Sequence, residues 1–135
     1  MEEEREWKLG AHQARFEAPN TLWMKFQGHL SYEDFTWAVK ILQELGAQRS
    51  LIVVADMTSN TTMDSEGQRY ASEHVEPEWC EAVIYMGARL IHKAGAKGFE
   101  LVYRLLGKKV TPVHFASNDA EARATISRLR ATHPA

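Results

Sequence analysis

The sequence predicts an α/β fold: a mixed, mainly parallel sheet of about five strands, opened by an antiparallel hairpin at its N-terminal end and flanked by about four helices. Two observations carry this expectation. After the opening pair of alternating segments, strand-like and helix-like patterns take turns to the end of the chain, the order that builds a parallel sheet through helical crossovers. The runs Leu51-Ile52-Val53-Val54-Ala55 and Ala82-Val83-Ile84-Tyr85-Met86 are apolar at successive positions, as strands covered on both faces must be.

Each element has its own signal. Met1 to Glu6 is charged and reads as a loose end, with Trp7 free to pack on the fold. His12 to Glu17 alternates weakly and carries Phe16. Thr21 to Gly28 alternates well, with Leu22, Met24 and Phe26 on one face and Trp23, Lys25 and Gln27 on the other. Pro19-Asn20 turns the chain between them. Ser31 and Asp34 form a capping-box relative in which Asp replaces Glu or Gln, and Phe35, Ala38, Val39 and Leu42 recur at helical spacing toward a stop at Gly46. The buried strand from Leu51 follows and ends on Asp56. Thr58 to Thr62 reads as a polar loop, and a second helix runs from about Ser65 to Val75 until Glu76-Pro77 closes it. After the Ala82–Met86 strand, Leu90, Ile91, Ala94, Gly98, Leu101, Val102 and Leu105 share one helical stripe, ended by Gly107. Val110 to Ala116 is the last strand. Ser117-Asn118-Asp119 caps a final helix that turns Ala122, Ile126 and Leu129 inward.

The chain of 135 residues fits one domain over residues 1–135 and buries a core without staples. With 44% hydrophobic and 25% charged residues it has the balance of a globular protein. A net charge of −2 supplies no basic field for nucleic acid. No apolar run approaches the ~20 residues of a membrane helix, so membrane insertion is not expected. The N-terminus lacks an apolar secretory core, and one cysteine, Cys80, has no internal partner; both point to the cytoplasm.

The stretch Leu51 to Gly67 concentrates the functional signal. A loop that leaves the C-terminal end of a central strand and opens a helix is where α/β proteins place recognition or chemistry. Asp56 reads first as a strand-end acid bonding loop amides. Ser65 has two accounts: a helix cap, with Gln68 at capping-box spacing or with Asp64 as the cap instead, or a functional hydroxyl. A strand, then Asp56, a polar loop, and Met63-Asp64-Ser65 with Gly67 resembles the STAS domain of bacterial anti-sigma factor antagonists. Phe26-Gln27-Gly28-His29-Leu30 echoes the Gly-x-Leu step that such domains carry before the first helix. Val113-His114-Phe115 followed by Asp119-Ala120-Glu121-Ala122-Arg123 looks like the SpoIIAA-like relatives of STAS/SEC14 type. The resemblance implies a non-enzymatic, protein-binding switch whose phosphorylated residue is Ser65, whose partner-binding loop comprises Asp56, Thr58, Ser59, Asp64, Ser65 and Gly67, and whose partner is a serine kinase that is also an anti-sigma factor. The sequence departs from the pattern in following Gly67 with Gln68-Arg69-Tyr70 and in placing Glu66 beside Ser65.

Nothing else competes strongly. The six histidines form no metal-ligand spacing, so no metal or other cofactor is expected. No phosphate-binding glycine loop is present. His74 and Cys80 are close enough in sequence to suggest a nucleophile pair, but a solvated His and a buried thiol are the simpler account. No paired acid and base argues for an enzyme. The stripe from Leu90 to Leu106 reads first as core packing, with a small apolar or lipid-binding cavity, or a homodimer surface, as alternatives.

Overall fold

The computed structural model describes residues 5–87 and 111–132. Six strands lie side by side in chain order: β1 (Arg5–Leu9), β2 (His12–Glu17), β3 (Thr21–Leu30), β4 (Leu51–Met63), β5 (Cys80–Met86) and β6 (Val113–Ala116). β1, β2 and β3 are antiparallel to one another, whereas β3 through β6 are parallel. Helices α1 (Tyr32–Gly46), α2 (Ser65–His74) and α3 (Asp119–Thr132) accompany them, with a short 3-10 turn at Pro77–Trp79. The stripe from Leu90 to Leu106 and the start of the last strand at Val110 lie outside the described residues.

The sheet divides the core in two because successive side chains leave a strand on opposite sides. Leu22, Met24 and Phe26 of β3 and Leu51, Val53 and Ala55 of β4 pack under α1 against Ala38, Ile41, Leu42 and Leu45. Ile52 and Val54 of β4, with Ile84 and Met86 of β5, turn the other way and meet Ala122 and Ile126 of α3. The apolar runs of β4 and β5 are therefore strands covered on both faces, as their composition predicts.

Three local expectations change. The N-terminal segment is not loose from Arg5 onward. It is an edge strand joined to β2 by Gly10-Ala11, where Gly10 takes φ +58. Glycine at the first position of a two-residue hairpin loop is the signature of a type II′ turn. The polar segment Thr58 to Thr62 is not a loop but the outer half of β4. It stays paired to β3 through two bulges, at Lys25/Gln27 and at Gly28/His29, each absorbing one extra residue of β4. Gly28 takes φ +73 at the second bulge, which accounts for the glycine in the Gly-x-Leu step. Gly46 ends α1 without a left-handed cap, since Ala47 stays right-handed helical. Its lack of a side chain serves packing: a Cβ there would stand 2.5 Å from Trp79 Cβ.

Candidate functional site

The parallel pairing of β3 and β4 brings two helix starts together. Leu30 and Met63 are register partners at the ends of their strands, and Asp64 N–H donates to Leu30 O at 2.8 Å. Each strand then runs straight into a helix, so the first turns of α1 and α2 sit side by side on one rim of the sheet. α1 is closed by a reciprocal box: Asp34 N–H donates to Ser31 Oγ at 3.2 Å, and Ser31 N–H donates to Asp34 Oδ2 at 2.8 Å. The sequence expectation of an Asp-containing capping box holds.

Asp34 also ties the helix to the hairpin. His12 is 5% exposed on β2, and its Nδ1 accepts from Gln27 N–H at 3.1 Å. That fixes the proton on Nε2, which donates to Asp34 Oδ2 at 3.0 Å. Burial opposes the charge on Asp34, but hydrogen bonds from Ser31 and the attraction and hydrogen bond of His12 outweigh it and hold the carboxyl below its ordinary value. His12 carried no spacing signal in the sequence. Its position among alternating residues of β2 is the only hint that it points inward.

At α2 the two accounts of Ser65 separate. Asp64 is the cap: its Oδ2 accepts from Gly67 N–H at 2.7 Å. Ser65 is the first helical residue and is exposed. The capping work, about 1 kcal/mol, therefore falls on Asp64, and the Ser65 hydroxyl projects from a helix start where unpaired backbone N–H groups and the helix dipole favour negative charge. Gly67 is buried because α2 presses there onto α1, where a Cβ would stand 2.2 Å from Phe35 Cδ2. The glycine of the Met-Asp-Ser-x-Gly pattern is thus a helix-packing residue.

The rim that holds the two helix starts is aromatic and acidic. Tyr32, 44% exposed at the start of α1, meets the edge of Tyr70 at 5.5 Å, and Tyr70 stacks on His74 at 4.0 Å. His29 and Thr62 share a hydrogen bond of 2.6 Å on the same two strands. Glu33 and Asp34 in α1, and Asp64 and Glu66 in α2, make the rim negative.

The remaining loop residues named from sequence are not gathered there. Asp56 pairs in register with Lys25, and Met63 pairs with Leu30, five β3 positions further on. At about 3.3 Å per residue that is roughly 17 Å along the strand. Asp56 Oδ1 accepts from Thr58 N–H at 3.0 Å and from Thr58 Oγ1 at 2.6 Å, bracing the first bulge; it bonds a neighbouring amide as expected, but from within β4 rather than at its end. It also borders an open cavity of about 320 Å³ on the face away from α1, together with Trp23, Lys25, Met86 and Asp119. Ser59 is exposed between Asp56 and the helix rim.

The His74–Cys80 pair does not form a reactive site. Cys80 is buried in the core under α1, and burial pushes its thiol up to about 12. His74 is exposed and bonds Tyr70 O at 2.8 Å through Nδ1. Among the described residues no group of His, Cys, Asp and Glu gathers as a metal site, and no helix is long and apolar enough to cross a membrane. A carrier cavity beneath Leu90–Leu106 would rest on residues outside those described.

No protein-family model matches the sequence. No curated protein matches it either. Among solved structures, the chain resembles the anti-sigma factor antagonist SpoIIAA in its unphosphorylated form with a TM-score of 0.56 at 12% identity, covering 89% of this chain and 98% of that one. It resembles the phosphorylated form of the Bacillus cell fate determinant SpoIIAA with a TM-score of 0.57 at 14% identity, over 89% and 100% of the two chains. An uncharacterised DUF3478-family protein of Shewanella loihica PV-4 with a SpoIIAA-like fold is similar at a TM-score of 0.59 and 12% identity, over 93% and 96%. The chain has a SpoIIAA-like, STAS-type fold.

Proposed function

We propose that this protein is a non-enzymatic, cytoplasmic regulatory module of the anti-sigma-factor-antagonist kind, which docks a serine-kinase-type bacterial partner at the α1–α2 rim and is switched by phosphorylation of Ser65. One observation carries the reading: Ser65 is exposed at the first position of α2 while the neighbouring Asp64 does the capping. The hydroxyl is thus available without dismantling the helix start. The fold supports the reading at a coarser level, since SpoIIAA is an anti-sigma factor antagonist with a phosphorylated form.

The physical switch is electrostatic. A phosphate adds about −1.5 to −2 charge and three strong acceptors at a helix start that tolerates them. It does so on a rim already carrying Asp64 and Glu66. A partner surface matched to the unmodified rim then meets uncompensated negative charge and loses its fit. Tyr32, exposed at the start of α1 on the same rim, supplies the apolar anchor of the contact. The docking surface is therefore the rim of Asp64, Ser65 and Tyr32, and Asp56, Thr58 and Ser59 act on it through the course of β4.

Incubation with the cognate serine kinase followed by mass spectrometric mapping tests the modification. Binding of the unmodified, Ser65→Ala and Ser65→Glu proteins to the partner tests the switch. Phosphate on Ser65 and more than tenfold weaker binding of Ser65→Glu are expected, with Ser65→Ala binding as the unmodified protein does. Phosphate elsewhere, or equal binding of all three, overturns the reading.

A further inference from the structure

The outer edge of β1 has no strand partner among the described residues, because the sheet order begins with β1. An open edge presents unpaired backbone groups to any complementary strand. β1 reads Arg5-Glu6-Trp7-Lys8-Leu9 and is complementary to itself. We propose that two copies of this chain associate through antiparallel pairing of their β1 strands, centred on Trp7, to give one sheet continuous across both copies.

The hairpin geometry selects this register. Leu9 and His12 flank the two-residue turn, and in such a hairpin the flanking residues are a hydrogen-bonded pair. Hydrogen-bonded positions alternate along the strand, so Leu9, Trp7 and Arg5 direct their backbone groups toward β2. Glu6 and Lys8 direct theirs outward. Centring on Trp7 sets Glu6 of each copy against Lys8 of the other as two hydrogen-bonded pairs, with Trp7 against its own copy as the closer, non-hydrogen-bonded pair between them. Four backbone hydrogen bonds form without a shift in either sheet.

The side chains agree with the backbone. Glu6 and Lys8 stand on one face, exposed, and neither has an ion-pair partner among the described residues. Across the seam they become two opposite-charge cross-strand pairs. Arg5, Trp7 and Leu9 stand on the other face. Arg5 is held at 2.7 Å by Glu44 of α1 and lies 4.7 Å over the Trp7 ring. Trp7 is only half buried, and Leu9, at 37% exposure, is one of two large hydrophobic residues exposed among those described. The two Trp7 rings and the flanking Leu9 side chains of such a pair cover one another. The pleat excludes a shift of one residue, which would set opposite faces together, and the charges exclude a shift of two, which would set Glu6 against Glu6 or Lys8 against Lys8.

Sedimentation velocity of the full chain over a wide concentration range tests the association, with circular dichroism to verify that each variant is folded. The unmodified protein is expected to pass from monomer to dimer as its concentration rises. Glu6→Lys and Lys8→Glu alone each turn both cross-strand pairs repulsive and are expected to lower the association constant about tenfold. The double swap Glu6→Lys with Lys8→Glu restores it. An equimolar mixture of the two single variants associates more tightly than either alone, because each copy then supplies the charges the other lacks. A chain that stays monomeric throughout, or a dimer indifferent to these charges, overturns the proposal.

Discussion

Asp64 and Ser65 are adjacent, polar and both able to cap a helix, yet their tasks differ completely. Asp64 satisfies Gly67 N–H, and Ser65 stands one position further on, in the helix and in solvent. Replacing Asp64 by Ala is expected to cost about 1 kcal/mol of stability, while Ser65→Ala costs a few tenths at most. Urea unfolding of the two variants measures this, and equal losses would return the cap to Ser65. Gly67 and Gly46 make the same point about small residues. Both read from sequence as a motif glycine and a helix stop. Each is where another side chain, Phe35 or Trp79, comes too close for a Cβ. Contacts of that kind join residues tens of positions apart in the chain, so no local pattern announces them.

β4 is the element on which the architecture turns. Its first half is paired on both sides from Ile52 to Asp56, to β3 and to β5. Among the described residues its second half is paired with β3 alone, and it carries both bulges of that pairing. The composition change at Asp56 marks that boundary correctly, but it marks the end of β5 coverage rather than the end of the strand. A polar segment with Thr and Ser reads as loop because strand signals depend on buried faces, and among the described residues no strand stands on its other flank. Native-state hydrogen exchange should follow the division. Amides from Ile52 to Ala55 are expected among the slowest in the protein, with those from Thr58 to Thr62 at least tenfold faster. Uniform protection along all of β4 would contradict the division.

Beyond the two-sided apolar core, a few charged ties join elements distant in sequence. Glu17 on β2 receives Arg123 of α3 at 3.3 Å through both of its carboxylate oxygens, and Arg15 at 3.3 Å from its own strand. Arg123 also lies 4.6 Å over the Trp23 ring, binding α3 to the hairpin. Burial opposes the Glu17 charge, but Arg123 and Arg15 overcome it and hold its carboxyl below the ordinary value. Asp34 is lowered as well. A carboxyl lowered in the fold binds its proton less readily there than in the unfolded chain. Its contribution is complete above the unfolded values of 4.5 for Glu17 and 3.8 for Asp34, and is lost as the pH falls through the lower folded values. Urea midpoints should therefore owe no loss to these two groups between pH 7 and 5 and fall below about 4.5. Glu17→Gln is expected to make that acid slope shallower, and an unchanged slope would remove Glu17 from the account.

The sequence by itself determined the alternation of strands and helices, the burial of Leu51–Ala55 and Ala82–Met86, the Ser31–Asp34 cap, and the inward faces of β3 and α3. These depend on side-chain period and on hydrogen bonds spanning three residues, which a linear reading contains. Only the tertiary structure decided that β1 is a strand, that β4 continues past Asp56, that Asp56 lies far from Ser65, and that two helix starts share one rim. Each of these depends on what stands beside a residue in the sheet, and strand pairing joins positions whose separation along the chain leaves no local trace.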